Sequence, residues 1–332
     1  MLITRRPLLF AAATLPLAAP AIAQILPGNR PMRWVVPFPP GGAADAIGRL
    51  WADAVTTTTG QAIVIDNRGG GNGVLGVQQV VQAPPDGTVL GVFSIAFFTA
   101  LPIMMARQPY DWERDLTPII QLVTSTVLCC VTAERARERG WTDFASLINW
   151  AKQPGNRLTK GSAGNGSAAH LLIATIAKRT GAEIEHVPYR GGAPALNDLI
   201  SGNIDMVFDF MPALMPHVAS GRLVALAVGS NARSPLLPQV PGLGEFAALN
   251  IGDLDMQSWN ALTGPRGMSA DLTASIADAV KRSANAPDLE RRLNASGLIP
   301  ATTDGPAATR AKIMADAAGW REMVETSGAR ME

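Results

Sequence analysis

Apolar positions along the chain alternate between the spacing of a buried strand and that of a helix face. Arg33 to Phe38 is a short apolar strand, and Ala44 to Thr59 places Ile47, Leu50, Trp51, Ala54 and Val55 on one helical face before Gly60 ends it. Ala62 to Asp66 predicts the next strand, followed by a glycine loop, a helix near Val74 to Gln82, the turn Pro84-Pro85-Asp86-Gly87 and a strand from Thr88 to Phe93. That is a βαβαβ series. The apolar run from Ile119 to Val131 reads as a further buried strand. A second series follows: a helix near Thr142 to Lys152, a strand near Arg157 to Lys160, a helix from Ser167 to Arg179 and a strand from Ile184 to Val187. A helix from Ala193 to Ser201, capped by Gly202, then leads to a strand from Ile204 to Phe208. Two such series predict an α/β chain of two lobes, each a mainly parallel sheet flanked by helices. The helices near Ala270 to Ala284 and Pro306 to Thr326 come with no strand series for a third domain, so they are expected to return to the first lobe. Lobe 1 is therefore expected over residues 30–128 and 254–332, and lobe 2 over 129–253.

Length agrees, since 332 residues exceed what one compact core usually holds. With 47% apolar and 17% charged residues and a formal charge of +1, the chain has no polyelectrolyte face for nucleic acid. The first residues read as a processing signal. Arg5 and Arg6 precede an apolar stretch from Pro7 to Pro20, and Ala21-Ile22-Ala23 supplies small residues for cleavage, so residues 1–23 are expected to be removed on export. Thr4-Arg5-Arg6-Pro7-Leu8-Leu9 also resembles a twin-arginine signal, which leaves both export routes open. Cys129 and Cys130 are adjacent in a strand, where neighbours point to opposite faces, so both are read as core thiols. The histidines, His170, His186 and His217, are scattered, and no metal or cofactor is expected.

The chemistry is expected in the loops outside the carboxyl ends of the strands, where helix N-termini point. Phe38-Pro39-Pro40-Gly41-Gly42-Ala43-Ala44-Asp45 joins the first strand to the first helix, and its glycines let backbone N–H groups approach a ligand. The stretch from Gly161 to His170 again runs from strand to helix and offers backbone donors, two hydroxyls and a helix start, all suited to an oxyanion. In the third such loop, Tyr189-Arg190-Gly191-Gly192, Arg190 is a candidate for the one full positive charge. Without Arg5 and Arg6 the balance is 26 basic to 27 acidic residues, so capture of an anion must rest on local geometry.

These loops resemble a known family. The motifs are Val36-Pro37-Phe38-Pro39-Pro40-Gly41-Gly42-x-x-Asp45, Asp66-Asn67-Arg68, Pro85-Asp86-Gly87-Thr88, Gly161-Ser162-x-Gly164-x-Gly166-Ser167-x-x-His170-Leu171 and Val187-Pro188-Tyr189-Arg190-Gly191 with Pro194-Ala195-Leu196-x-Asp198-Leu199. With Gly202-x-Ile204-Asp205, Leu223-x-Ala225-Leu226-Ala227-Val228 and Pro238-x-Val240-Pro241, they resemble, in order, the TctC/Bug family of tripartite tricarboxylate transporter receptors. The resemblance implies a periplasmic binding protein of the Venus-flytrap kind that holds a small carboxylate between its lobes: a di- or tricarboxylate, an acidic amino acid or an aromatic carboxylate. Phe38, Pro40, Gly41, Gly42 and Asp45 then serve one lobe, and Ser162, Gly166, Ser167, His170, Tyr189 and Arg190 the other, with Ser94 and Asp209 completing the walls. The implied partners are membrane subunits of a secondary transporter or, in a signalling alternative, a sensor kinase; the receptor is expected to be a monomer. The sequence departs from the family in the run Arg68-Gly69-Gly70-Gly71-Asn72-Gly73 and in Arg190 where lysine is common; arginine grips a carboxylate with two parallel hydrogen bonds. Ser94 to Met105, rich in Phe and Met, hints at an apolar portion of the ligand, although Phe97, Phe98, Met104 and Met105 also suit a core.

Enzyme readings fare worse. Gly71-x-Gly73-x-x-Gly76 matches a dinucleotide fingerprint in form but follows the second strand, with no acidic residue ending a following strand about twenty residues on. Ser167 and His170, three residues apart on one helix, lack an orienting acid and a nucleophile elbow, so no catalytic residue is assigned.

Overall fold

The computed structural model describes Leu26 and residues 30–330 apart from Gln108. The leader predicted over residues 1–23 lies outside the described residues. Strand β1 (Met32–Val36) runs parallel between β2 (Ile63–Asn67) and β3 (Val89–Ser94), with Trp34 opposite Ile65 and Leu90. The connecting helices are Ala43–Thr59 and Val74–Val81.

Strand β4 (Leu116–Thr132) is 17 residues long and belongs to two sheets in succession. The second sheet places β5 (Leu158–Ser162) parallel between β6 (Ile184–Pro188) and β7 (Met206–Phe210), and β4 joins its other edge through Val127 opposite Phe210. Strand β8 (Leu223–Val228) also pairs with this end of β4. Strand β9 (Gln257–Pro265) returns to the first sheet, antiparallel between β3 and the first part of β4, and β10 (Ile299–Pro300) adds a short bridge to β4. The pairing of β4 therefore changes between Thr126, which faces Gln257, and Val127. Backbone bonds from Gly229 N–H to Val127 (2.7 Å) and from Met256 N–H to Gly229 (2.8 Å) bind the crossing segments together. The Thr126 hydroxyl adds a bond to the Met256 carbonyl.

Three apolar clusters support this frame. One face of the first sheet buries Trp34, Val36, Leu90 and Val92 against Ile47, Trp51 and Val55 of helix Ala43–Thr59 and Ile276 and Val280 of helix Ala270–Ala284. Its other face packs Val35, Phe93 and Trp259 on Val77, Val80 and the C-terminal helix Pro306–Ser327, and the same cluster continues into the second lobe through Leu171, Ile176 and Phe208. The remaining face of the second sheet carries Leu128, Cys130, Val207, Leu196 and Leu199. Cys129 and Cys130 are free, buried and in different clusters, as strand alternation requires.

Three expectations need correction. The strand predicted from Ile204 to Phe208 begins at Met206, because Asp205 turns its carboxylate to the backbone and hydroxyl of Thr159 and to Arg135, holding Ile204 and Asp205 in the preceding turn. Asp209 consequently stands inside β7 rather than after it, and Ser94 is the last residue of β3 rather than the first beyond it. Strand β9 had no counterpart in the apolar pattern, since Ser258 and Asn260 interrupt it; both are nevertheless buried.

Candidate functional site

The loop after β1 is shaped by Asp45, which is buried in the first turn of helix Ala43–Thr59. One carboxylate oxygen accepts from Gly41 N–H (3.0 Å) and Arg49 Nε (3.0 Å), the other from Asn67 Nδ2 (3.0 Å), which also donates to the Phe38 carbonyl. Burial opposes ionisation here, but the bonds from Arg49, Gly41 and Asn67 outweigh it and hold the carboxyl below its usual range. Asp45 thus braces the loop, and Gly42 is left as the helix N-cap.

In the loop after β5, Ser162 Oγ lies 2.5 Å from His186 Nε2 and accepts from Gly164 N–H. His170 Nδ1 accepts from Gly166 N–H (3.1 Å), and its ring stacks on His186 with centroids 4.0 Å apart. Burial first, then the nearby Lys160 charge, pushes His170 down to about 4. Burial, His170 and Lys160 push His186 down to about 3. Both rings are neutral at physiological pH, and both serve the loop's shape. Ser167 caps helix Ala168–Thr180 by accepting from His170 N–H. Lys160, fully buried, donates to the Ala169 carbonyl at 2.9 Å, and burial lowers its pKa against the pull of Asp209 and Cys129.

The loop after β6 differs from its sequence reading in which residues it presents. Tyr189 Oη donates to Asp198 (2.6 Å) and Arg190 is exposed, so the loop turns Gly191 and Gly192 inward at the start of helix Gly192–Ile200. Asp209, at the end of β7, accepts from Phe210 N–H (2.8 Å) through Oδ1. Its Oδ2 stands 2.0 Å from where a Cβ on Gly192 would be, so only glycine leaves room for it. Burial pushes its carboxyl up, opposed by the Phe210 bond and the Lys160 charge.

These loops enclose one cavity of about 840 Å³, counting its mouth, with walls from both lobes. Of the residues expected to serve the site, Phe38, Gly42, Ser94, Gly166, Ser167 and Asp209 line it. Pro40, Gly41, Asp45, Ser162, His170, Tyr189 and Arg190 do not; most of these turn their polar atoms into the loops themselves. The sequence reading missed Asn72, Asn165, Ser258 and Asn260 on the wall and left Phe97 between ligand surface and core; it lines the cavity and also packs on Phe93. Asn165 sits in a loop already singled out, and the Asn72 departure in the glycine run was a further signal; Ser258 and Asn260 sit in an unpredicted strand. Four helix N-caps reach the cavity: Gly42 from the first lobe and Ser167, Gly191 and Phe210 from the second. Such ends concentrate unpaired N–H groups and partial positive charge, which suits an anion. The lobes also touch across the cleft. Asn72 Oδ1 lies 2.7 Å from the position of a Cβ on Gly164, and Pro39 Cδ lies 3.3 Å from that on Gly191.

The chain is 30% identical to the protein BugT of Bordetella pertussis over 321 residues, 96% of each chain. Its fold matches the structure of R. palustris Rpa4515 with adipate at a TM-score of 0.84 and 29% identity, over 91% of this chain and 98% of that one. It likewise matches the periplasmic binding protein BugD at a TM-score of 0.82 and 26% identity, over 91% and 99%. These neighbours share the two-lobed α/β architecture of periplasmic binding proteins. Residues 47–328 match the model of the tripartite tricarboxylate transporter family receptors, and the chain belongs to that family.

Proposed function

We propose that this receptor is exported to the periplasm, captures a small carboxylate between its lobes and presents the closed form to the membrane subunits of a tripartite transporter. The observation that carries the reading is the convergence of the helix starts at Gly42, Ser167, Gly191 and Phe210 on one cavity shared by the two lobes. Backbone N–H groups at those starts hold the carboxylate, so no single basic side chain has to. Gly41 and Asp45 act one step removed by fixing the loop that ends in Gly42, and Ser162 and His170 do the same for the loop around Gly166. In this reading the lobes divide where β4 passes from Thr126 to Val127 and where the chain returns between Asp255 and Gln257, close to the boundaries expected from sequence.

Closing the cleft costs contacts with water and hinge freedom, and ligand bonds shared between lobes offset that cost. Binding to the folded state alone then raises stability by about 2.7 kcal/mol at a hundredfold excess over Kd. A melting-shift screen with dicarboxylates, tricarboxylates, acidic amino acids and aromatic carboxylates tests this. A rise of several degrees with at least one of them is expected, and no rise with any refutes the carboxylate reading.

A further inference from the structure

The cleft wall carries one ionisable side chain, and it is acidic. Among the described residues that line the cavity, Asp209 is the only titratable group; no lysine, arginine or histidine faces it. Arg190 is exposed outside the cavity, and Lys160 is buried behind the wall on the Ala169 carbonyl. Asp209 also borders two of the helix starts. Its Oδ1 accepts from the N–H of Phe210, the residue that precedes helix Met211–Ala219, and its Oδ2 stands against Gly192 at the start of helix Gly192–Ile200.

The rest of the wall is neutral. Ser94 at the end of β3 pairs directly with Asn260 of β9, and Ser258 lies two residues along the same strand. The Ser258 hydroxyl is buried, lines the cavity and has no hydrogen-bond partner among the described residues. A serine hydroxyl and an asparagine amide both donate and accept, so they read a neutral polar group as readily as an anion. Phe38, Phe97, Leu101 and Phe210 supply apolar surface. A second carboxylate in this enclosed, largely apolar space meets the Asp209 charge with no basic side chain on the wall, Lys160 acting on Asp209 only from behind it.

Building on the carboxylate reading above, we propose that the cleft selects a monocarboxylate with an apolar, aromatic-type body and a neutral hydrogen-bonding group. Asp209 discriminates against a second carboxylate, while Ser258 and Asn260 receive the neutral group. Titration calorimetry at pH 7.5 with benzoate, 4-hydroxybenzoate, nicotinate, adipate and malate tests it. The tightest monocarboxylate is expected to bind at least about tenfold more strongly than either dicarboxylate. Asp209→Asn is expected to shrink that ratio by about tenfold, and Ser258→Ala to bring 4-hydroxybenzoate and benzoate to about equal affinity. Adipate or malate binding more tightly than every monocarboxylate overturns the proposal with wild-type protein alone, and an unchanged ratio in a folded Asp209→Asn variant does the same. Failure of all five ligands to bind overturns this proposal, whereas the carboxylate reading falls only if the tricarboxylates and acidic amino acids of the melting screen fail as well.

Discussion

Gly192 shows how a residue with no side chain can control a charged one. Its Cα borders Asp209 Oδ2 so closely that any Cβ must displace the carboxylate. Gly192→Ala is expected to weaken ligand binding at least about tenfold and to cost about 1–3 kcal/mol of stability, read by calorimetry and chemical denaturation. The stacked pair His170 and His186 makes a separate prediction about pH. Their folded pKa values, about 4 and about 3, lie below the ordinary 6.5, so between these limits the unfolded chain binds more protons than the folded one. Stability from this pair is therefore complete above pH 6.5 and declines as pH falls toward 4. Asp209, raised by burial, acts in the opposite sense over part of that window, so the test compares slopes. The melting temperature of His186→Gln is expected to fall less steeply from pH 6.5 to 4 than that of the wild type.

At the scale of elements, the site is a set of helix starts held by their caps. Ser167 accepts from His170 N–H at the head of helix Ala168–Thr180, while Gly166 N–H is held by the His170 ring. Ser167→Ala is expected to lower stability by about 1 kcal/mol, a typical cap loss, and to weaken ligand binding by a larger factor than a cap loss on a helix away from the cleft. Ser269→Ala, at the head of helix Ala270–Ala284, is the matched control, because that serine caps Leu272 N–H and does not line the cavity. Most of these helices and their preceding strands were legible from apolar spacing, with ends displaced by one or two residues. Strand β9 was not, for a reason tied to the cavity: Ser258 and Asn260 line it rather than apolar core. A periodicity argument treats such residues as loop.

At the scale of the molecule, the two lobes share a continuous strand and a closing contact. Asn72, in the left-handed conformation at φ 54°, reaches from the first lobe to Gly164 of the second, itself at φ +127°. A methyl group at Gly164 occupies the place where the loops meet and strains that backbone. Gly164→Ala is expected to shift the protein toward an open cleft, seen as a larger radius of gyration in small-angle scattering with saturating ligand. Wild-type compaction in the variant would show that the Asn72 contact does not govern closure.

The amino-acid sequence by itself determined the alternation of strands and helices, the two α/β series and the positions of the loops that carry the site, because burial period and turn residues act locally. Family membership was legible for the same reason, through ordered loop motifs such as Val36 to Asp45 and Gly161 to His170. Only the tertiary structure decided which residues of those loops line the cavity. Asp45, Ser162, His170 and Tyr189 turned to partners within their own lobe, whereas Asn72, Ser258 and Asn260 reached the wall. A polar side chain has several possible partners, and the choice among them depends on residues distant in sequence that packing alone brings near.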